Sequence, residues 1–192
     1  MKDERFIAEL LEGDIHTANQ KAFGCDTRDQ AKTLIYALLY GAGDAKLGSV
    51  VGGSAAKGKA MRSSYESNWP AYRDLIRRTK KIAKCGTVLG LDGRRLHVRS
   101  EHAALNTLLQ SAGAIVMKKA LVIAEQKLDS YGYPYKFVAN VHDEMQLEVP
   151  EEYADRVGAC VRNAIRQAGR DLGLRCPLDG EYMVGDSWSE TH

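Results

Sequence analysis

The sequence lacks the paired cysteines that disulfide-bonded and zinc-binding modules usually carry. It contains four cysteines, and no two of them form a CxxC pair: Cys25, Cys85, Cys160 and Cys176. This spacing argues against a zinc site and against a disulfide framework, and it indicates reduced thiols in a cytosolic protein.

Strong charge and long apolar runs are also missing. The net charge is +2 at pH 7, which argues against a strongly basic nucleic-acid-binding tail but allows a local basic patch. No uninterrupted apolar run approaches the roughly 18 residues needed to cross a membrane, and the charged start MKDERFIAELLEG does not resemble a signal peptide. The 192 residues, 44% of them apolar, therefore predict a globular chain of one or two domains without a membrane partner.

The most informative stretch is residues 27–43, which read TRDQAKTLIYALLYGAG. Thr27 followed by Gln30 has the form of a capping box, so the helix is predicted to begin at Arg28. Gly41 and Gly43 are typical of a helix stop. These signals predict a helix over residues 28–40.

One face of this predicted helix carries four side chains with a common spacing. Arg28, Lys32, Tyr36 and Tyr40 recur every fourth residue and therefore share one broad face. An arginine can grip a phosphate with two parallel N–H bonds, and a lysine supplies a mobile charge and a proton. The tyrosines offer surfaces for a sugar or a base, so the face suits a nucleotide. The alternative is a solvated helix with ordinary basic residues.

The remaining chain shows helical periodicity, two hairpin signals and no internal repeat. GSAAKGKA at residues 53–60 falls short of a phosphate loop, because Ala60 stands where Ser or Thr should hold magnesium and no strand precedes it. A basic helix over residues 70–84 is either solvated or a contact for a DNA backbone. The predicted elements are helices at 55–69, 70–84, 105–127 and 151–172, hairpins at 87–98 and 136–149, and a last strand at 176–183.

The second hairpin turns at His142 and Asp143, within the tetrapeptide VHDE. Side-chain alternation relaxes at a tight turn, so Asp143 and Glu144 can reach one site. Carboxylate oxygens are the ligands that magnesium prefers. Ordinary turn chemistry explains an aspartate here equally well, and the sequence alone leaves both interpretations open.

Two further polar side chains stand near these features. His16 lies shortly before the Arg28 helix and could reach the same anion, although a lone histidine is usually structural. Gln110 lies on the otherwise apolar helix at 105–127, where a buried amide needs a partner. That partner is either the protein backbone or the minor-groove edge of a duplex.

Four signatures in this order resemble the family A DNA polymerases, and most of all the replicative polymerases of podovirus-type phages. Arg, Lys four residues on, an aromatic eight on and Tyr-Gly twelve on is the fingers-helix motif of that family. The signatures are GDIH at 13–16, the helix at 28–40, LDGRRLHVRSEHAALNTLLQSAGA at 91–114, and VHDE at 141–144. The resemblance covers nearly the whole chain.

The resemblance implies a fold of the α+β class, with a helical fingers subdomain and a partial antiparallel-sheet palm of a right-hand polymerase. It implies a palm remnant at residues 1–13, fingers at 14–85 and the C-terminal part of the palm at 86–192. The implied activity is template-directed nucleotidyl transfer from a deoxynucleoside triphosphate (dNTP) to primer-template DNA, with two Mg²⁺ ions. A phage protein of this kind would work in the cytoplasm of its bacterial host.

The resemblance also implies roles for individual side chains. In the fingers, His16, Arg28 and Lys32 match residues that hold the incoming triphosphate, and Lys32 also matches the proton donor to pyrophosphate. Tyr36 matches the residue beside the nucleotide sugar, and Tyr40 matches the residue that stacks at the templating position.

Four more positions match residues of the palm. Asp143 corresponds to a metal-binding catalytic carboxylate and Glu144 to its acidic neighbour. Gln110 matches a minor-groove contact, and His142 matches a residue near the primer end. These matches concern DNA and metal binding, whereas those in the fingers concern the nucleotide, except for Tyr40, which concerns the template DNA.

One part of the family pattern has no counterpart here. The family has a second catalytic aspartate on a palm strand upstream of GDIH, and that position would fall before Met1. We therefore expect this chain to be inactive alone, with a separate N-terminal chain supplying that aspartate and the thumb. The alternatives are a non-catalytic DNA- or nucleotide-binding module or polymerase remnant, and an unrelated metal hydrolase built on VHDE.

Overall fold

The computed structural model describes residues 3–191. These residues form mainly helices, with two short antiparallel hairpins between them. The helices are α1 (Glu4–Leu11), α2 (Ile15–Phe23), α3 (Arg28–Leu39), α4 (Asp44–Val50), α5 (Ala55–Asn68), α6 (Pro70–Ala83), α7 (Ala104–Tyr131), a 3₁₀ turn (Glu151–Tyr153), α8 (Ala154–Asp171) and α9 (Trp188–Thr191). The strands are β1 (Thr87–Leu89), β2 (Arg95–His97), β3 (Lys136–Val141) and β4 (Glu144–Glu148). The predicted α+β class is confirmed.

The chain divides into two compact units. The first runs through Gly90 and includes Arg95–Leu109, and the second contains Leu91–Arg94 and the chain from Gln110 onward. The predicted subdomain limits at 13 and 85 stay predictions, because a division into compact units is a different property from a division into fingers and palm.

Aromatic side chains fill the core of the first unit. Phe23 of α2 stacks on Tyr65 of α5 with ring centroids 4.3 Å apart, and Tyr65 meets Tyr72 of α6 edge-on at 5.2 Å. Trp69, between α5 and α6, is 2% exposed and meets Phe6 of α1 edge-on. Burial of such large apolar surfaces stabilises this arrangement of helices.

Glycines allow α4 and α5 to approach each other closely. A Cβ atom on Gly58 would lie 1.9 Å from the carbonyl oxygen of Asp44, and one on Gly48 would lie 2.1 Å from that of Ser54. Any larger side chain at either position would therefore force the two helices apart. The glycine-rich region thus packs helices, and residues 53–60 form the start of α5 and the turn before it, in agreement with the rejection of a phosphate loop.

Both hairpins have the predicted positions. In the first, Thr87 pairs with His97 and Leu89 with Arg95. In the second, Lys136 pairs with Glu148 and Val141 with Glu144, and the register shifts near Val138. Among the described residues, each sheet consists of these two strands alone.

The predicted strand at 176–183 is wrong. These residues form an extended segment with no sheet partner among the described residues, and they run along α8. Asp179 accepts hydrogen bonds from Arg162 and Arg166 of α8 at 2.7–2.9 Å. The extended segment thus contacts a helix face and not a sheet.

Helix α7 is a long apolar helix, although its sequence contains no uninterrupted apolar run of membrane-spanning length. By length and composition alone it could cross a membrane, with a mean hydropathy of 1.4 in its most apolar window. Core helices of water-soluble proteins meet the same criterion.

Candidate functional site

The helix α3 presents the predicted face to solvent. Its capping box is present, because Gln30 N–H donates to the Thr27 hydroxyl at 3.2 Å and the Gln30 side chain accepts from the Thr27 backbone. The opposite side is buried in the core of the first unit through Ala31, Leu34, Ile35 and Leu38. The exposed face carries Arg28, Lys32, Tyr36 and Tyr40.

The guanidinium of Arg28 is held from one side by Asp14. Its Nε donates to Oδ2 of Asp14 at 2.9 Å, and its Nη2 donates to Oδ1 at 3.2 Å. These bonds from Arg28 hold the pKa of the Asp14 carboxyl well below its ordinary range, with the Thr17 hydroxyl as the next contributor. Within the described residues, Nη1 of Arg28 makes no hydrogen bond.

His16 is tied to the same carboxylate through its backbone. Its N–H donates to Oδ1 of Asp14 at 3.0 Å, which caps the first turn of α2. The side-chain Nδ1 of His16 is buried and has no hydrogen-bond partner among residues 3–191. Lys32, one turn beyond Arg28, makes no hydrogen bond or ion pair within the described part of the chain. Asp14 therefore connects the backbone of His16 to the side chain of Arg28.

A tight turn follows Tyr40, the C-cap of α3. Gly41 has a φ of 79°, and a Cβ atom there would lie 2.4 Å from the carbonyl oxygen of His102. Arg62 fixes the following residues, because it donates to Asp44 at 2.7 Å and to the carbonyl oxygen of Ala42 at 2.6 Å. A cavity of about 280 Å³ opens beside this turn. The Tyr-Gly pair of the motif thus has a structural reason, since only glycine fits after the tyrosine.

We call His142, Asp143 and Glu144, at the turn between β3 and β4 in the second unit, the acidic turn. His142 adopts a φ of 54°, a left-handed conformation that is uncommon for residues other than glycine. Both His142 and Asp143 are exposed. The Asp143 carboxylate makes no hydrogen bond or ion pair with any described residue. The turn thus leaves the Asp143 carboxylate open to solvent.

Glu144, beside Asp143, is held by two neighbours. The indole Nε1 of Trp188 donates to its Oε1 at 2.9 Å, and the side-chain amide of Gln146 donates to the same oxygen. Trp188 itself is 47% exposed. The two carboxylates of the turn therefore have different surroundings, one engaged by the protein and the other open.

The predicted site residues fall into two groups. His16, Arg28, Lys32, Tyr36 and Tyr40 belong to the first unit, whereas Gln110, His142, Asp143 and Glu144 belong to the second. Gln110 is exposed on α7. No three His, Cys, Asp or Glu side chains are grouped to hold a metal ion within residues 3–191.

Sequence reasoning missed Asp14 and Trp188. Asp14 lies 14 residues before its partner Arg28, and Trp188 lies 44 residues after its partner Glu144. Neither separation follows a helical or strand period, so no local pattern connects the partners. The one signal was that GDIH belongs to the resemblance, which drew attention to the histidine and not to the aspartate.

Comparison with known proteins covers almost all of the chain. The family model described as DNA polymerase family A matches residues 2–190. The chain is 42% identical over 190 residues to the DNA-directed DNA polymerase of Escherichia phage Phieco32, and 40% identical over 209 residues to that of Enterobacteria phage T3. These alignments cover 95% and 97% of this chain but 31% and 30% of the phage proteins. The chain thus spans about a third of the length of these relatives.

A solved structure supports the same assignment. The POL domain of Pol1 from M. smegmatis, in complex with DNA primer-template and dNTP, superimposes with a TM-score of 0.78 and 25% sequence identity. The match covers 87% of this chain and 33% of that one. The resemblance inferred from GDIH, the α3 motif and VHDE is therefore confirmed, and the chain belongs to DNA polymerase family A.

Proposed function

We propose that this chain provides the nucleotide-binding helix and one metal-binding carboxylate for DNA-directed nucleotidyl transfer from a dNTP. The observation that carries the proposal is the exposed face of α3, where two cations and two tyrosines line up on a rigid helix. Membership of DNA polymerase family A supports the reaction class.

The start of α3 suits the triphosphate. Asp14 occupies one edge of the Arg28 guanidinium, which leaves Nη1 and part of Nη2 to donate to phosphate oxygens. Lys32 lies one turn further along and is exposed, so it can neutralise phosphate charge and give a proton to the departing pyrophosphate. His16 follows Asp14 directly and adds a third nitrogen-bearing side chain near Arg28.

The far end of α3 suits the sugar and the base. Tyr36 and Tyr40 are 49% and 58% exposed, and therefore offer ring faces and hydroxyls to a ligand. We assign Tyr36 to the nucleotide sugar and Tyr40 to the templating position. Gln110 and His142 are assigned to primer-template DNA, since both are exposed and polar.

The Asp143 carboxylate fits a hard cation. It is exposed, lies at a turn and is engaged by no described residue, so both of its oxygens are available. We assign Mg²⁺ to this position, with two ions for the complete reaction. When bound, such ions neutralise the charge that develops on the transferring phosphoryl group. Asp143 would hold the cation, and Glu144 would add negative charge beside it.

One carboxylate does not complete a two-metal site, which needs ligands from both sides of the reacting phosphorus. We propose that the second aspartate and the thumb come from a palm segment outside these 192 residues. The two-stranded β3–β4 sheet supports this, because β3 has no neighbour on its outer side within the described residues. An open strand edge of this kind is a template for pairing. The expected location is the bacterial host cytoplasm.

Primer extension with Mg²⁺ and dNTPs tests the proposal. Residues 1–192 alone should not extend a primer, and addition of a chain with the upstream palm strand and thumb should restore synthesis. Asp143→Ala should lower the restored rate about 10³-fold or more, the size associated with losing one charge-stabilising group in phosphoryl transfer. Glu148→Ala is the matched control, because Glu148 is an exposed acid of the same hairpin. Normal synthesis by the Asp143→Ala variant would refute the metal assignment.

A second candidate is a non-catalytic DNA-binding module. Helix α6 favours it, since a group of its basic side chains is exposed: Arg73, Arg77, Arg78 and Lys81. Such a face suits the phosphate backbone of DNA. Binding of primer-template DNA by residues 1–192, without any extension after the partner chain is added, would favour this candidate.

A further inference from the structure

The contact between Trp188 and Glu144 joins the end of the chain to the acidic turn. The donor and acceptor atoms are 2.9 Å apart, and the residues are separated by 44 positions in the sequence. Trp188 remains 47% exposed, so burial of its ring is not the main effect of its position next to Glu144. The placement does restrict the Glu144 carboxylate, which also accepts a hydrogen bond from Gln146.

The segment that carries Trp188 is anchored along one face of α8. We call residues 176–191 the C-terminal strap. Leu178 packs where a Cβ on Gly169 would come within 3.0 Å, and the Tyr182 ring packs where a Cβ on Gly158 would come within 2.4 Å. Gly158 and Gly169 are three helical turns apart, and thus lie on the same side of α8. Because glycine has no side chain, these two positions leave space on α8 for the side chains of Leu178 and Tyr182.

Ion pairs fix the strap between these two glycine contacts. Arg162 and Arg166 lie one turn apart on α8, and both grip the carboxylate of Asp179. Each arginine donates through two nitrogens, with the four distances between 2.7 and 2.9 Å. Paired forks of this kind set direction as well as distance. The strap therefore leaves α8 in a defined register.

The last turn of the strap is closed by its own hydrogen bonds. Glu190 accepts from the backbone N–H of Asp186 at 2.9 Å and from the Ser187 hydroxyl at 3.2 Å. These bonds fold residues 186–191 into the short helix α9, whose first residue is Trp188. A fixed register on α8 and a closed turn together define where the indole N–H points.

We propose that Trp188 is a positioning residue for the acidic turn, and that the strap holds the Glu144 carboxylate beside Asp143 for magnesium binding. This inference rests on the proposed function, because it assigns Asp143 and Glu144 to the cation. Asp143 has no hydrogen-bond partner among the described residues, whereas Glu144 is ordered by the strap. The strap thus supplies rigidity that a two-stranded hairpin would lack.

Trp188→Phe removes the indole donor and retains the aromatic ring. We expect primer extension in the restored two-chain enzyme to fall by about 10-fold to 100-fold, the usual size for losing a partner that orients a metal-binding group. The Mg²⁺ concentration needed for half-maximal rate should rise. The affinity for dNTP should not change, because Arg28 and Lys32 belong to the first unit. Trp188→His keeps a ring N–H and should recover part of the loss.

The hydrogen bond itself can be observed without activity. The chain has two tryptophans, so an indole ¹⁵N–¹H spectrum of residues 1–192 contains two resonances, and the Trp188→Phe variant identifies the one from Trp188. Glu144→Gln retains a carbonyl acceptor and should leave this resonance near its place, whereas Glu144→Ala should shift it. Tyr182→Phe is the matched control in both assays, because it keeps the ring on Gly158 and loses only a 3.4 Å contact with Asp155.

The outcomes separate this inference from the proposed function. If Asp143→Ala keeps normal synthesis, the proposed function fails whatever Trp188 does. If Asp143→Ala is inactive while Trp188→Phe extends primers like the wild type at every Mg²⁺ concentration, the positioning role is refuted. It is also refuted if Trp188→Phe lowers the unfolding temperature and Trp188→His recovers no activity. A 10-fold loss with a raised Mg²⁺ requirement and recovery by histidine would support it.

Discussion

In the first unit, large aromatic side chains fill the core, whereas the second unit has a smaller apolar cluster around Leu128, Val157 and Cys160 and carries exposed ion pairs on its surface. The large fully buried side chains of the first unit include Trp69, Tyr65 and Phe23, and Leu128 is the corresponding residue of the second. In the second unit, Asp179 is instead held by two arginines, and Lys119 pairs with Asp171 at 3.4 Å. Apolar burial resists changes of pH and salt, and exposed ion pairs do not.

This difference affects the two groups of candidate site residues. The α3 face is supported from behind by Leu34 and Leu38, both buried, so its geometry follows from the core. The acidic turn is supported by the strap through Trp188 and Glu144. We therefore expect the exposed face of α3 to tolerate substitutions elsewhere on the surface of the first unit. The acidic turn should instead depend on contacts that are distant in the sequence.

The two tryptophans give the largest contrast. Trp69→Ala should lower the free energy of unfolding by about 3–5 kcal/mol, because it opens a cavity in a closed aromatic core. Trp188→Ala should cost about 1 kcal/mol, the size of a typical hydrogen bond such as the one to Glu144, because its ring is half-exposed and its removal opens no closed cavity. Urea denaturation of both variants measures the difference. Equal losses would mean that the strap carries as much stability as the core of the first unit.

Arg28 offers the next largest effect. Arg28→Ala should weaken dNTP binding about tenfold or more, since a charge-assisted hydrogen bond contributes roughly 1.5–3 kcal/mol. Arg77→Ala is the matched control, because Arg77 is exposed and pairs locally with Asp74 at 3.1 Å. Calorimetric titration with dNTP compares the variants with the wild type. The same affinity in all three proteins would refute the assignment of the nucleotide to this face of α3.

A smaller effect is expected at Tyr36, which the proposed function assigns to the nucleotide sugar. Under that assignment its hydroxyl can take the place of the 3′-hydroxyl that a dideoxynucleotide lacks. Tyr36→Phe in the restored enzyme should reduce dideoxynucleotide use by a few fold, the size of one neutral hydrogen bond, while ordinary synthesis continues. Competition between dideoxy- and deoxynucleotides measures this ratio. An unaltered ratio would indicate that Tyr36 is a packing residue.

The smallest effect concerns acid sensitivity of the strap. The hydrogen bonds from Arg162 and Arg166 hold the pKa of Asp179 well below its ordinary range. A carboxyl whose pKa is lower in the folded state stabilises the fold above its unfolded pKa, and this contribution is lost as the pH falls. The difference in unfolding temperature between wild type and Asp179→Asn should therefore shrink below about pH 4. A difference that is constant from pH 7 to pH 3 would contradict this role.

Local patterns predicted much of the fold, because their causes are local. The capping box of Thr27 and Gln30 and the fourfold spacing from Arg28 to Tyr40 act within a few residues, and the structure shows both. The two-residue turn at His142 and Asp143 likewise follows from neighbouring residues. The strand predicted at 176–183 failed because an extended segment can lie beside a helix as well as in a sheet, and the local sequence does not say which of the two is its neighbour.

The sequence by itself determined the family, the exposed face of α3 and the acidic turn, since each depends on residue types at short and fixed spacings. Only the tertiary structure decided the partners of these groups. Asp14 reaches Arg28 and Trp188 reaches Glu144 because separate elements pack against each other. Such contacts depend on the path of the whole chain, and a hydrogen bond between residues 44 positions apart leaves no periodic trace in the sequence.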